Sequence, residues 1–256
     1  DMDAPQTFAA TFVLAYLRYL PTVVLAALTP LRWTPALIRI VLALALSWMT
    51  VQAAPTVSFS PGQHGAMGWA VAASGELMIG LVFGLAVMMP QAALHMSGWV
   101  VDMQAGLSAA MLFNPGAQGD TQSLLGTALM LLGTVLFFTL DLHLDLYRMI
   151  ASSARVIPLG QAGVHLDLAG FLGLLGSSFL LGLMLVAPIV LGLFAVDVGV
   201  AYATRSMPQA NVYFLALPLK IVVALLLMVA TLPFVPALFE RMYQDAFARV
   251  PQMLGA

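Results

Sequence analysis

From Leu168 to Ala203 the chain reads LAGFLGLLGSSFLLGLMLVAPIVLGLFAVDVGVAYA, an apolar run whose one charged residue is Asp197. A helix needs about 20 apolar residues to cross the hydrocarbon core of a bilayer. This run is too long for one straight span. It is expected either to bend at Pro188 or to form two packed helices. Other stretches share its character. Charged residues make up 8% of the chain and hydrophobic residues 62%, and the mean hydropathy is +1.00. A soluble domain carries about 25% charged residues, so lipid or other apolar protein must cover much of this surface. The expected fold class is all-α, a polytopic helical membrane protein with kinked helices and helical hairpins. A net charge of −2 provides no basic footprint for nucleic acid. With no cysteine, disulfides and thiol chemistry are excluded.

The remaining spans follow from the same rule. Phe8 to Leu28 holds Arg18, with Pro21 as a kink. The opening DMDAPQTFAATF lacks a basic n-region, so this first apolar segment is expected to be retained rather than cleaved as a signal peptide. Ala36 to Val51 is short and carries Arg39; Trp69 to Ser97 holds Glu76 and Pro90; Gln122 to Leu140 reads as a clean span. Leu142 to Ile157 is amphipathic. Val212 to Phe239 carries Pro218, Lys220, Pro233 and Pro236, and ERMYQDAFARVPQML after it reads as an amphipathic helix. No period of the kind that marks a solenoid is present.

Two features resist a plain bundle of spans. Lys and Arg in short loops should favour one side of the membrane. With alternating spans, however, Arg32 falls on one side and Arg148 and Arg155 on the other. The helices are therefore expected to be miscounted or not to be plain bilayer spans. The second feature is charge within the apolar runs, at Arg18, Arg39, Glu76, Asp197 and Lys220. A charge at the bilayer centre costs on the order of 3 kcal/mol on insertion scales. Arg39 can snorkel from a helix end. For Glu76, Asp197 and Lys220 the favoured reading is buried pairing within or between subunits, and the sharper alternative is a proton relay.

Catalytic signals are weak. His64, His95, His143 and His165 are scattered, with no HExxH and no metal-ligand spacing. Asp141, His143 and Asp145 spread around a helix instead of converging and read as a polar helix start. GxSxG, P-loop and GxGxxG contexts are missing. Methionine is abundant, at 16 residues, and its deformable side chain suits either core filling or an adaptable seal. One stretch is singular: DMQAGLSAAMLFNPGAQGDTQS, Asp102 to Ser123. Gly106, Gly116 and Gly119 allow bending, and Pro115 stops helix at Asn114. Met103, Met111, Leu112 and Phe113 are apolar enough to dewet a constriction. The plainer reading is a tight turn between helices.

These residues also carry a resemblance. GELMIGLVFGL (Gly75 to Leu85), DMQAGLSAAMLFNP (Asp102 to Pro115), FFTLDLHLDLYRMIASSARVIPLG (Phe137 to Gly160) and TRSMPQANVYFLALPLK (Thr204 to Lys220) resemble, in order and spacing, the FliR family of flagellar export-gate proteins and its SctT relatives in virulence type III secretion. TPLRWTPALIRIVLALALS fits the family's first turn and second helix. The likeness covers nearly the whole chain. HLDLYRMIASSARVIPLG leans to the flagellar branch, whereas FLALPLK and Asp197 also suit the injectisome branch. Departures are Leu140-Asp141-Leu142 before His143, where a Gly often precedes the His, and Asn114-Pro115 where Asp-Pro is commoner.

The resemblance implies a non-enzymatic subunit, without cofactor or metal, of a hetero-oligomeric export gate in the bacterial inner membrane at a flagellar basal body or injectisome base. Its implied partners are FliP-like and FliQ-like subunits, a FlhB/SctU-like switch protein, unfolded export substrates and membrane lipid. Residues 1–256 form one gate unit, with a FliP-like part over about 1–165 and a FliQ-like hairpin over about 166–256. The family's plug maps to Met103, Gly106, Leu107, Met111, Leu112, Phe113, Asn114, Pro115 and Gly116. Residues assigned to assembly and buried charge are Arg18, Glu76, Asp197, Arg205, Pro208, Gln209, Asn211 and Lys220. Less expected alternatives are the SctT subunit of an injectisome and a proton-coupled secondary transporter, which would require internal repeats.

Overall fold

The computed structural model describes residues 3–25, 30–53, 65–107, 123–161, 167–206 and 212–254. Helix α1 (Asp3–Leu20) opens into a π turn at Pro21–Leu25, and a 3-10 turn (Pro30–Trp33) leads into α2 (Ala36–Ala53). Helix α3 (Ala66–Ala105) is followed by α4 (Leu124–Thr139), α5 (Leu142–Val156) and α6 (Leu168–Ser206). Helix α7 (Val212–Thr231), a 3-10 turn (Leu232–Phe234) and α8 (Val235–Met253) complete the order. No β-strand occurs among the described residues.

Proline placement explains several boundaries. Pro21 has no N–H for the α ladder, and the chain changes to the π turn at that residue. Pro90 and Pro188, by contrast, lie inside continuous helices of 40 and 39 residues. The run from Leu168 is thus one helix, and the alternative of two packed helices is excluded. Gln122 to Leu140 needs correction too. Helix α4 has 16 residues, is too short to span alone, and stops at Leu140-Asp141, where Asp141 takes a left-handed φ of 56°. It qualifies as a span only when joined to α5 across that bend, whereas five other stretches qualify by length and composition alone. Asp102 also belongs to a helix, because α3 continues to Ala105.

The chain forms two compact units, both built from discontinuous segments. The first comprises Asp1–Met89, Phe137–Gly176 and Tyr243–Ala256. Its core includes Leu14, Tyr19, Ile79, Phe83, Ile150, Leu159 and Tyr243. Helix α5 supplies Leu142, Leu146, Ile150 and Ala154, a buried stripe at four-residue spacing. Phe8 and Phe12 meet the Trp48 ring edge-on, with centroids 5.3 and 6.1 Å away, which pairs α1 with α2. Tyr19 and Thr50 share a 2.7 Å hydrogen bond along the same contact. Tyr243 Oη donates to the Val87 carbonyl at 3.1 Å.

The second unit comprises Pro90–Leu136 and Ser177–Met242. Here α3 and α4 approach closely because Gly98 faces the backbone of Gly126, where a Cβ on Gly98 would overlap it. Gly182 lies against Ser97, and Gly192 against the Leu227 side chain. Outside these contacts the surface is apolar: Phe179, Leu180, Leu183, Met184, Leu191, Phe194, Val198 and Tyr202 on α6 are all exposed.

Candidate functional site

The first unit places Arg18, from the last turn of α1, inside a polar cluster that is otherwise sealed. Arg18 and Glu76 are each about 1% exposed. Arg18 Nε donates to Glu76 Oε2 at 2.6 Å and Nη2 donates to Oε1 at 3.1 Å. Nη1 donates to Ser153 Oγ at 3.0 Å, and Nη2 also reaches the Ile157 carbonyl at 3.1 Å. Glu76 Oε1 accepts the Gly160 N–H at 2.8 Å. A buried ion pair holds only when further hydrogen bonds satisfy the remaining donors and acceptors. Here they come from α5 and from the turn after it, where Gly160 has φ of 82°. The cluster therefore ties α1, α3, α5 and that turn together. Gly80 allows the approach, since a Cβ there would overlap the Arg18 carbonyl oxygen. Thr22 Oγ1 donates to the Gly80 carbonyl at 3.0 Å beside it.

Arg39 does not reach away from its helix end into open surroundings. Its Nη1 donates to the Val24 carbonyl at 3.0 Å. In the second unit Lys220 of α7 pairs with Asp197 of α6. The lysine side chain is the more enclosed of the two, at 16% exposure against 39%. Arg205 is exposed in the last turn of α6, where the helix dipole favours a cation.

Of the residues matched to the plug, Met103 is 54% exposed on the last turn of α3, Gly106 has φ of 81°, and Leu107 follows it. Met111, Leu112, Phe113, Asn114, Pro115 and Gly116 lie outside the described residues, as do Pro208, Gln209 and Asn211. The polar groups that flank residues 108–122 are hydrogen-bonded to one another. The Asp102 carboxylate, 2% exposed, accepts from Ser123 Oγ and from the Leu125 N–H at 3.1 Å. Ser123 Oγ accepts the Gly126 N–H at 2.8 Å.

Asp141, His143 and Asp145 do not gather into a metal site, and no group able to hold a metal is found among the described residues. The His143 ring lies among Phe138, at 5.2 Å, Phe137 and Tyr147.

Long apolar helices, with Arg18 and Glu76 paired in an enclosed cluster and Asp197 paired with Lys220, define a polytopic membrane protein whose polar residues hold structure together. Residues 9–246 match the family described as bacterial export proteins, family 1, and the chain belongs to that family. It is 26% identical over 249 residues to the flagellar biosynthetic protein FliR of Aquifex aeolicus, covering 96% of this chain and 95% of that protein. It is 26% identical over 185 residues to FliR of Pectobacterium carotovorum, covering 70% and 69%. Over 159 residues, 60% of each chain, it is 31% identical to the Yop proteins translocation protein T of Yersinia pestis. The chain is thus a FliR/SctT-family component of an export apparatus, a structural and not an enzymatic part.

Proposed function

We propose that this chain is a wall subunit of the gate through which unfolded proteins leave the cytoplasm by the flagellar type III pathway. The observation that carries the reading is the length and exposure of α6. Its 39 residues extend about 58 Å along the axis at 1.5 Å per residue, almost twice the roughly 30 Å hydrocarbon core. Large apolar side chains are nevertheless exposed from Leu168 to Tyr202. Lipid can cover only part of such a helix, so neighbouring protein covers the rest. FliP-like and FliQ-like subunits are the proposed neighbours, with a FlhB/SctU-like protein docked on the assembly in the inner membrane. The split distribution of Arg32, Arg148 and Arg155 fits helices held in a protein assembly, which need not obey the positive-inside bias.

In this reading the first two thirds of the chain, to about residue 165, take a FliP-like place and the remainder a FliQ-like one. Met103, Gly106, Leu107 and Met111 to Gly116 contribute the plug that closes the pore between passages, and Arg205, Pro208, Gln209 and Asn211 fix the α6–α7 turn against a neighbour. The flagellar branch is favoured by HLDLYRMIASSARVIPLG. The likeness to a Yop translocation protein makes the injectisome subunit the alternative. Co-expression of the chain with FliP-like and FliQ-like proteins of a flagellar set and of an injectisome set tests both points. Stable capture by the flagellar set alone is expected. Recovery as a functional, monodisperse monomer in detergent would overturn the proposal.

A further inference from the structure

The helices on either side of the plug stretch are fastened to each other by one residue. Helix α3 ends in a Schellman motif: the Gly106 N–H donates to the Met103 carbonyl at 3.3 Å and the Leu107 N–H to the Asp102 carbonyl at 3.1 Å, with Gly106 left-handed as the motif requires. The first N–H groups of α4 have no partner within their own helix. They are capped by the Asp102 carboxylate, directly at Leu125 and through Ser123 Oγ at Gly126. Asp102 thus closes the end of α3 with its backbone and the start of α4 with its side chain. The Gly98–Gly126 contact removes the space in which the two helices could slide.

An N-cap is ordinarily supplied by the residue immediately before its helix. In α4 a carboxylate from the preceding helix performs part of that role, and it is buried together with Ser123, which is 3% exposed. An acidic group is also the favourable choice at a helix N-terminus. The cost of burying it is offset by the donors it accepts.

We infer that Asp102 is the positioning residue of the gate: it clamps the C-terminus of α3 to the N-terminus of α4, so that both ends of the intervening stretch are held at a fixed spacing while the helices stay in place. The inference rests on the plug reading for its functional consequence but not for its structural part, and the two are tested separately.

The structural part is read by hydrogen–deuterium exchange on the assembled complex. In Asp102→Ala, exchange at Leu125 and Gly126 should rise about tenfold, the scale of a lost cap. Leu107, whose acceptor is backbone, should stay unchanged. Unchanged exchange at Leu125, or a rise spread over the whole chain, overturns the clamp. The functional part is read as ion leak per assembled gate, with deletion of Ala105–Gly119 measured beside it. The expected result is leak in Asp102→Ala, a smaller leak in Ser123→Ala, and little in Asp102→Asn, which retains acceptor oxygen. If the deletion leaks and both Asp102→Ala and Ser123→Ala do not, the positioning role is wrong while the plug reading survives. If the deletion itself does not leak, the plug reading fails and the functional role of Asp102 falls with it. Should Asp102→Ala fail to assemble, Ser123→Ala carries both readouts.

Discussion

Replacing Arg18 with methionine tests how much of the first unit depends on a single buried cluster. Methionine keeps the stem volume but removes every hydrogen bond the guanidinium makes. Glu76 would then be a carboxylate 1% exposed that keeps the hydrogen bond from the Gly160 N–H. Breaking a buried ion pair by removing one partner costs about 3–5 kcal/mol. The Ile157 carbonyl also loses its Arg18 donor, for about 1–3 kcal/mol more if it stays dry. The total, on the order of 5 kcal/mol, approaches the whole net stability of a typical domain. Arg18→Met should therefore reduce the amount of intact gate recovered from co-expression by more than about tenfold, taking 1.4 kcal/mol per factor of ten. Arg18→Lys should fall between, because an ammonium keeps the charge but cannot hold Glu76, Ser153 and Ile157 in a planar fork. Arg18→Met combined with Glu76→Gln removes both charges and still offers Gly160 an acceptor, so it should recover part of the loss. The assay is gate abundance together with the thermal midpoint of the purified complex. Wild-type abundance and an unshifted midpoint for Arg18→Met would show that the first unit does not depend on the cluster, as would a double variant worse than the single one.

Other outcomes follow from the same geometry. Gly80→Ala should impair folding by about 1–3 kcal/mol, the cost of overpacking, because its methyl would overlap the Arg18 carbonyl; a midpoint equal to wild type would contradict the close approach. Deleting Ala105–Gly119 should let small ions leak through assembled gates while secretion partly survives, and unchanged conductance would remove the plug role. Arg205→Ala should lower recovery of partner subunits before it slows passage per gate, as seen by comparing pull-down yield with secretion normalised to that yield; normal recovery would contradict it.

The helical content was legible because long apolar runs have few alternatives, and Pro21, expected as a kink, is where the α-helix gives way to a π turn. Pro188 carried no such information: a proline can be held inside a long helix when packing supports it, and hydropathy cannot tell the two cases apart. The break after α4 was legible too, since a span ending at Leu140 and an amphipathic helix starting at Leu142 agree with α4 and α5 to within a residue; hydropathy did not show that α4 begins only at Leu124 and is too short to cross alone. Buried charge demanded partners, but Arg18 and Glu76 are 58 positions apart, and no local pattern links them to each other or to Ser153 and Gly160. The stretch set apart as a break between helices begins at Asp102, yet the local signals that carry α3 through Asp102 are present in the sequence. Gly106 is the glycine expected just beyond a helix, and Ser123 is the expected cap before Leu124. The closeness of Gly98 to Gly126 left no trace, since isolated glycines in apolar helices have many uses.

Apolar helices longer than a bilayer is thick must be covered partly by other protein. A photo-crosslinker placed in turn at Leu172, Phe179, Leu191, Val198 and Tyr202, exposed positions spread along the length of α6, tests it directly in the assembled, membrane-embedded complex. Partner-protein adducts are expected at several of these positions, with lipid adducts confined to a band no more than about 30 Å deep. Lipid adducts at all of them, with no protein adduct, would contradict it.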